Sequence, residues 1–464
     1  MVFSSLSFLS IFLPVVLILY WILPGVRTQN TMLLIASLLF YAYGEPVYVF
    51  LMIGSAFINY VWALLIDHFP IYKKGFMILA VIQNIGILGV FKYAGFFVET
   101  WNSLTGMHCH VPEIALPIGI SFYTFQALSY VIDVYRGDTT SQKKYLKLLL
   151  YISFFPQLIA GPIVKYHDIE KELSERRKDL SEVVLGIRRF VIGLSKKVLI
   201  SNYLGAMVDT LFASNLAEIN ILCAWLGAVG YMLQIYFDFS GYSDMAIGIG
   251  QMMGFHFKEN FNYPYTAVSI QDFWTRWHMS LSGWFKEYLY IPLGGNRKGK
   301  VRTVINKYIV FFCTGFWHGA ALQFIFWGLF HGSFLMLEEY VPMIRKEGGK
   351  IKKACNHVYV ILVVMIGFVF FRADTMSQGA LWVSRMFTGF FFSQASMRLL
   401  LSLLMPLNII VLLAAIVGST PWVKKIREKN GVTALSCLAS LCLLVFCIFS
   451  LAGGTYNPFI YFRF

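Results

Sequence analysis

Residues 310–332 read VFFCTGFWHGAALQFIFWGLFHG, an apolar run whose only ionisable groups are one cysteine and two histidines. A helix needs about 20 consecutive apolar residues to cross the hydrocarbon of a bilayer, and this run lies inside a span expected over 303–335. Comparable segments fall at 5–24, 31–53, 51–66, 75–97, 115–134, 146–163, 219–237, 358–371, 398–417 and 434–453. The chain is 58% hydrophobic and 13% charged, whereas soluble domains carry about 25% charged residues. It reads as an all-α integral membrane protein with about eleven transmembrane helices, several of them interrupted by Pro or Gly and so broken or re-entrant.

The first segment lacks a basic n-region and is followed by further spans, so it reads as a transmembrane helix rather than a cleaved signal. Lys and Arg outnumber Asp and Glu 38 to 24. The excess sits in loops such as 73–76, 346–353 and 424–429, which are expected on the cytoplasmic side beside anionic lipid, so membrane lipid is an expected partner and nucleic acid is not. Without an internal repeat or a flexible linker, 1–464 reads as one polytopic domain. Its polar chemistry is concentrated at about 150–335, and a C-terminal helical hairpin closes it at about 398–464. The cysteines at 437, 442 and 447 read as small hydrophobes. The run His108, Cys109, His110 lacks further ligands at metal spacing, and no metal is expected.

Residues 270–288, IQDFWTRWHMSLSGWFKEY, are expected to form one amphipathic helix at the membrane interface, opened by Ser269 and Asp272 as a capping pair. At about 100° per residue, Trp274, Trp277, Leu281, Phe285 and Tyr288 share a stripe with His278, while Arg276 and Lys286 lie opposite. His318 is expected mid-span, with Gly315 and Gly319 allowing close helix packing or leaving room for a substrate chain. Burial favours its neutral ring, a suitable general base for an alcohol attacking a thioester. On one straight helix His331 falls about 220° from His318 and reads as structural.

In YMLQIYFDFSGYSDMAIGIG (231–250), Ser240 and Gly241 are expected to interrupt the helix. Asp238 and Asp244 then either orient a histidine or hydroxyl, or cap the broken ends. Pro156, Gln157, Gly161 and Pro162 suggest a kinked or re-entrant segment over 154–169, and the mixed charges of 165–189 suggest a solvated surface helix. The loop PLGGNRKGKVR (292–302) offers a basic patch containing Arg297 and Lys298, read either as topology signal or as contact for donor phosphates or an acidic carrier. Nucleotide-binding and zinc-protease motifs are absent.

Taken in order, FFPQLIAGPI, IYFDFSGYSDMAIG, NFNYPY, FWTRWHMSLSGWFKEYLYIPLGG and GFWHGA resemble the membrane-bound O-acyltransferase family, and more narrowly its bacterial alginate O-acetyltransferase branch, a relative of the teichoic acid D-alanyl transferase. The closing PFIYFRF resembles the ending of that branch. The resemblance implies a ring of helices around a thinned centre with a tunnel, His318 as the family's near-invariant histidine and His278 as the second catalytic histidine. It also implies substrate or tunnel-lining roles for Gln157, Asp238, Ser240, Asp244, Trp274, Arg276, Trp277 and Trp317, and donor-phosphate contact for Lys286, Arg297 and Lys298. The implied activity is acyl transfer in the bacterial cytoplasmic (inner) membrane with no permanently bound cofactor. Acetyl-CoA would be the donor, an extracytoplasmic partner of the SGNH-hydrolase-like type would continue the transfer, and a polysaccharide would be the final acceptor. D-alanyl transfer is the nearest alternative. A secondary transporter would also account for broken helices and buried acids, but not for paired histidines within the matched motifs, and a structural scaffold would show wild-type behaviour with both histidines replaced.

Overall fold

A computed structural model describes residues 2–159, 161–341, 348–454, 456–458 and 460. Every regular element among them is helical. Five helices are long and apolar enough to cross a membrane, namely Tyr48–His68, Lys73–Thr105, Ile221–Met252, Lys350–Arg372 and Ala434–Gly453; a sixth arises if the bent pair Gln394–Leu403 and Pro406–Gly418 counts as one span. The chain is thus a multi-pass membrane protein. Helix Ala434–Gly453 has only 6% of its apolar window buried, as a lipid-facing helix would. Most of PFIYFRF and the first two residues of the basic run 346–353 lie outside the described residues.

Two compact units emerge, Met1–Phe190 with Ser243–Glu259, and Val191–Tyr242 with Asn260–Phe464. In the first, Tyr48–His68 and the start of Lys73–Thr105 pack together and on Ile120–Arg136. Asn59 and Asn84 donate side-chain amides to each other's oxygens at 3.1 and 2.7 Å. Such a closed amide pair joins two apolar helices without leaving an amide unsatisfied. The kinked segment expected near 154 is present: Tyr145–Ser153 stops at Phe154, and one turn, Phe155–Leu158, restarts with Pro156 in its first positions.

The surface helix expected over 165–189 is not formed as such. One turn at Tyr166–Ile169 is followed by turns and irregular chain until helix Leu180–Ser195 begins. Arg176 explains the irregular path. Its guanidinium donates to Asn30 Oδ1 at 2.6 Å and lies 4.4 Å over the Phe255 ring, so side-chain anchoring rather than helical pairing holds the segment.

Helix Ile221–Met252 runs unbroken through both units, which change over between Tyr242 and Ser243. The expected interruption at Ser240–Gly241 is therefore corrected. Gly241 serves proximity instead: a Cβ there would meet the Gly193 carbonyl oxygen at 2.7 Å. In the second unit the apolar run 303–335 is two helices, not one span. Lys300–His318 and Leu322–Tyr340 form a hairpin around extended residues at Gly319 and Ala321. Their contact is built on glycine. A Cβ on Gly328 would overlap the Phe311 carbonyl oxygen, and one on Gly315 the Phe324 carbonyl oxygen.

Replacing Gly328 with Ala should force these backbones apart and cost about 1–3 kcal/mol. Gly86→Ala, on a helix with open space around the glycine, should be neutral or stabilising by up to about 1 kcal/mol. Thermal unfolding of the detergent-solubilised protein, followed by loss of the monodisperse chromatographic peak, distinguishes the two outcomes.

Candidate functional site

The histidine stretch begins as its sequence suggests. Ser269 Oγ accepts from the Asp272 amide at 2.9 Å, and the buried Glu338 carboxylate accepts from the amides of Ile270 and Gln271 at 2.5 and 3.1 Å. Free first-turn amides of a helix need such acceptors, and here side chains supply them. The helix then ends at Arg276, and a second one, Met279–Phe285, starts after His278. The single helix expected over 270–288 is therefore broken at the histidine itself.

His278 stands in the break with φ 43° and ψ 55°. Tyr263, in the NFNYPY motif, has φ 48°, and among the described residues these two are the non-glycines with positive φ. A non-glycine in this region costs on the order of 1–3 kcal/mol, and such residues cluster where geometry serves function. The surrounding bonds repay that strain. Asn262 N–H donates to the Arg276 carbonyl and Met279 N–H to the Asn260 carbonyl, each at 2.9 Å. The imidazole is 1% exposed, with its centroid 4.6 Å from that of Phe239 and 6.2 Å from that of Trp317. Burial pushes its pKa below the ordinary histidine value.

His318 is the last residue of Lys300–His318 rather than a mid-span residue. Three rings surround it edge-on: Trp317 at 4.9 Å, Trp327 at 5.1 Å and Phe371 at 5.2 Å between centroids. Trp317 thus lies against both histidines. The hairpin also overturns the straight-helix placement of His331, because Trp327 touches His318 on one side and His331, at 5.2 Å, on the other. Gly367 admits this ring, since a Cβ there would meet His331 Nε2 at 2.6 Å.

A cavity of about 200 Å³ borders these aromatics, lined among others by Trp274, Phe285, Lys286, Tyr290, Lys307 and Thr314. Trp274 connects it to the histidine region, with its ring 5.6 Å from Trp327 and 5.3 Å from His331. Lys286 is exposed at the cavity, and Lys307 is paired with Glu339. Arg297 and Lys298 stand on an exposed turn and do not line it.

The remaining expected site residues separate into other environments. Trp277 is packed among Phe261, Phe273 and Phe368 in the core. Arg276 is tied to Asp272 at 2.7 Å. Among the described residues Asp238 is held by groups other than a histidine: it is buried, ion-paired with Lys197 at 2.5 Å, and accepts from the Ile460 amide at 2.8 Å. Because the helix is continuous, Asp238 does not cap a broken end either. Ser240 is buried, with its hydroxyl 3.5 Å from Lys196 Nζ. Gln157 and Asp244 belong to the first unit, where Gln157 donates to the Tyr151 carbonyl at 2.6 Å and Asp244 pairs with Arg189 at 2.9 Å. Among the described residues no group of three or more His, Cys, Asp or Glu could hold a metal ion.

Two residues that sequence reasoning passed over shape this site, Asn260 and Glu338. Asn260 could have been singled out as a buried amide opening the NFNYPY motif immediately before the histidine stretch. Glu338 could have been singled out as an acid at the end of an apolar segment, where a charge needs a partner.

Comparison with known proteins places a match to the membrane-bound O-acyltransferase family over residues 141–373. The chain is 43% identical over 383 residues to a probable alginate O-acetylase of Pseudomonas aeruginosa, covering 81% of this chain and 73% of that protein. It is 37% identical over 410 residues to a peptidoglycan O-acetyltransferase of Helicobacter pylori, covering 81% and 78%. A teichoic acid D-alanyltransferase of Bacillus subtilis is 32% identical over 292 residues, covering 59% and 72%.

The buried Lys197–Asp238 pair makes its own test. Lys197→Met alone leaves an unpaired buried carboxylate and should destabilise by about 3–5 kcal/mol, whereas Lys197→Met with Asp238→Leu should recover most of the loss. Melting of the single and double variants measures this, and full recovery of transfer activity in the double variant would mark Asp238 as structural.

Proposed function

The chain belongs to the membrane-bound O-acyltransferase family and is an O-acyltransferase, and on that premise we propose that it moves an acetyl group from a cytoplasmic thioester toward the O-acetylation of an extracytoplasmic polysaccharide. The donor in this reading is acetyl-CoA. The acceptor side is completed by a partner protein of the SGNH-hydrolase-like type, and the protein resides in the bacterial cytoplasmic membrane, its helices arranged around a tunnel. The relatives named for alginate and peptidoglycan O-acetylation support acetyl as the group. Those named for D-alanyl transfer match less of the chain at lower identity.

The observation that carries the reading is the placing of Trp317 against both His278 and His318. Two imidazoles in one dry aromatic setting suit an alcohol attacking a thioester, because a neutral ring can take the hydroxyl proton as the carbon–oxygen bond forms and return it to the departing thiolate. In this reading His318 is the general base and His278 acts with it. Lys286 at the cavity supplies positive charge to donor phosphates, and Trp274 and Phe285 supply apolar wall for the thioester arm.

Transfer of radiolabelled acetyl from acetyl-CoA by the purified protein tests the proposal directly, and consumption of a D-alanyl carrier thioester in its place would replace it. His318→Ala should lower turnover by about 10²- to 10⁴-fold while leaving the protein folded. If the histidines act as a unit, His278→Ala/His318→Ala should be little worse than either single variant. Retention of half the activity in His318→Ala would overturn its role. Lys286→Gln should raise the apparent donor constant at low salt, and that deficit should shrink as salt rises, because exposed charges are screened over a Debye length of about 8 Å at physiological ionic strength.

A further inference from the structure

Asn260 holds the residues around His278 with both its backbone and its side chain. Its carbonyl takes the Met279 amide. Its side-chain oxygen takes the Ser280 amide at 3.2 Å and the Ser280 hydroxyl at 2.9 Å, and lies 3.2 Å from His278 Nδ1. One of these partners fixes the chemistry of the others. A backbone N–H can only donate, so the Asn260 atom facing it is the oxygen and not the nitrogen of the amide. An amide oxygen can only accept, so the nitrogen of His278 pointing at it must carry the proton. The alternative, with Ser280 donating to a bare Nδ1, would use a 3.5 Å contact and set two lone pairs against each other at 3.2 Å.

Because a neutral imidazole has one N–H and one lone pair, the lone pair is left on Nε2. That atom is buried and makes no hydrogen bond among the described residues. We propose that Asn260 is a positioning residue which fixes His278 as the Nδ1–H tautomer, so that Nε2 is the nitrogen that accepts a hydrogen bond from the hydroxyl of the incoming acceptor. The inference rests on the acyl-transfer reading and changes one part of it: a hydroxyl has a single proton to donate, so the hydroxyl held by Nε2 gives that proton to His278 rather than to His318, and in its resting form His278 cannot polarise the thioester carbonyl as a donor. The left-handed backbone at His278 and the Asn260 grip together aim a single nitrogen, which an unbroken helix through 278 would not do.

The tautomer can be read without any assay of transfer. Protein labelled with ¹⁵N-histidine and reconstituted in lipid is compared with the His278→Gln variant, whose missing signals identify those of His278. A protonated Nδ1 and a bare Nε2 are expected in the wild type. Asn260→Asp offers the same acceptor oxygen and should keep that pattern. Asn260→Leu should lose it, and should lower turnover by about 10²-fold with little change in the apparent donor constant. A protonated Nε2 in the wild type, or an unchanged pattern in Asn260→Leu, would overturn the proposal. If Asn260→Leu does not fold, the wild-type spectrum decides it alone. A wild-type protein with the expected tautomer but no acyl transfer would sink the functional reading and leave the Asn260 assignment standing.

Discussion

A backbone broken inside a membrane protein must find partners for the amides and carbonyls that the break releases, because lipid offers none. The second unit meets this constraint at His278 and after His318, where helices are interrupted. At the break itself the partners are Asn260, which accepts from the Met279 amide, and Asn262, which donates to the Arg276 carbonyl, while Ser269 and Glu338 accept the amides at the start of the preceding helix. After His318 two extended residues carry the chain into a tight hairpin closed by Gly315 and Gly328. Each proposed functional histidine sits where helical regularity is given up. An imidazole inside a regular helix takes its direction from the helix, whereas one at a break can be aimed by what surrounds it.

The aromatic content gives these breaks a rigid setting. Trp317 touches both imidazoles, Trp327 joins His318 to His331, and Trp274 reaches from His331 to the cavity. Tilted and edge-on rings fill the space with few rotatable bonds, and buried polar atoms among them, Nε2 of His278 and the indole nitrogens of Trp274 and Trp327, make no hydrogen bond among the described residues. Charge is handled differently in the two units. Asp244 and Asp238, close in sequence on one helix, serve separate ion pairs with Arg189 and Lys197.

How much of this was legible before the fold was known depends on the range of the interaction. Composition and runs of apolar residues established a helical membrane protein, because the length of an apolar run and the cost of burying charge are properties of the chain alone. The ordered motifs from FFPQLIAGPI to GFWHGA pointed to the acyltransferase family and to His278 and His318. Ser269 as a cap was readable because its partner is three residues away.

Tertiary structure alone decided what depends on distant partners. Periodicity cannot show that helix 270–288 breaks at His278, because the break is stabilised by Asn260 and the helix start by Glu338. It cannot show that Gly241 continues a helix, because its use is proximity to Gly193. Nor can it place His331 beside Trp327 in the neighbourhood of His318, since that follows from a hairpin within an apolar run long enough to read as one span. Hydrophobicity determines which residues leave water. Directional hydrogen bonds and steric fit, made between residues far apart in the chain, determine where the chain bends and which nitrogen it presents.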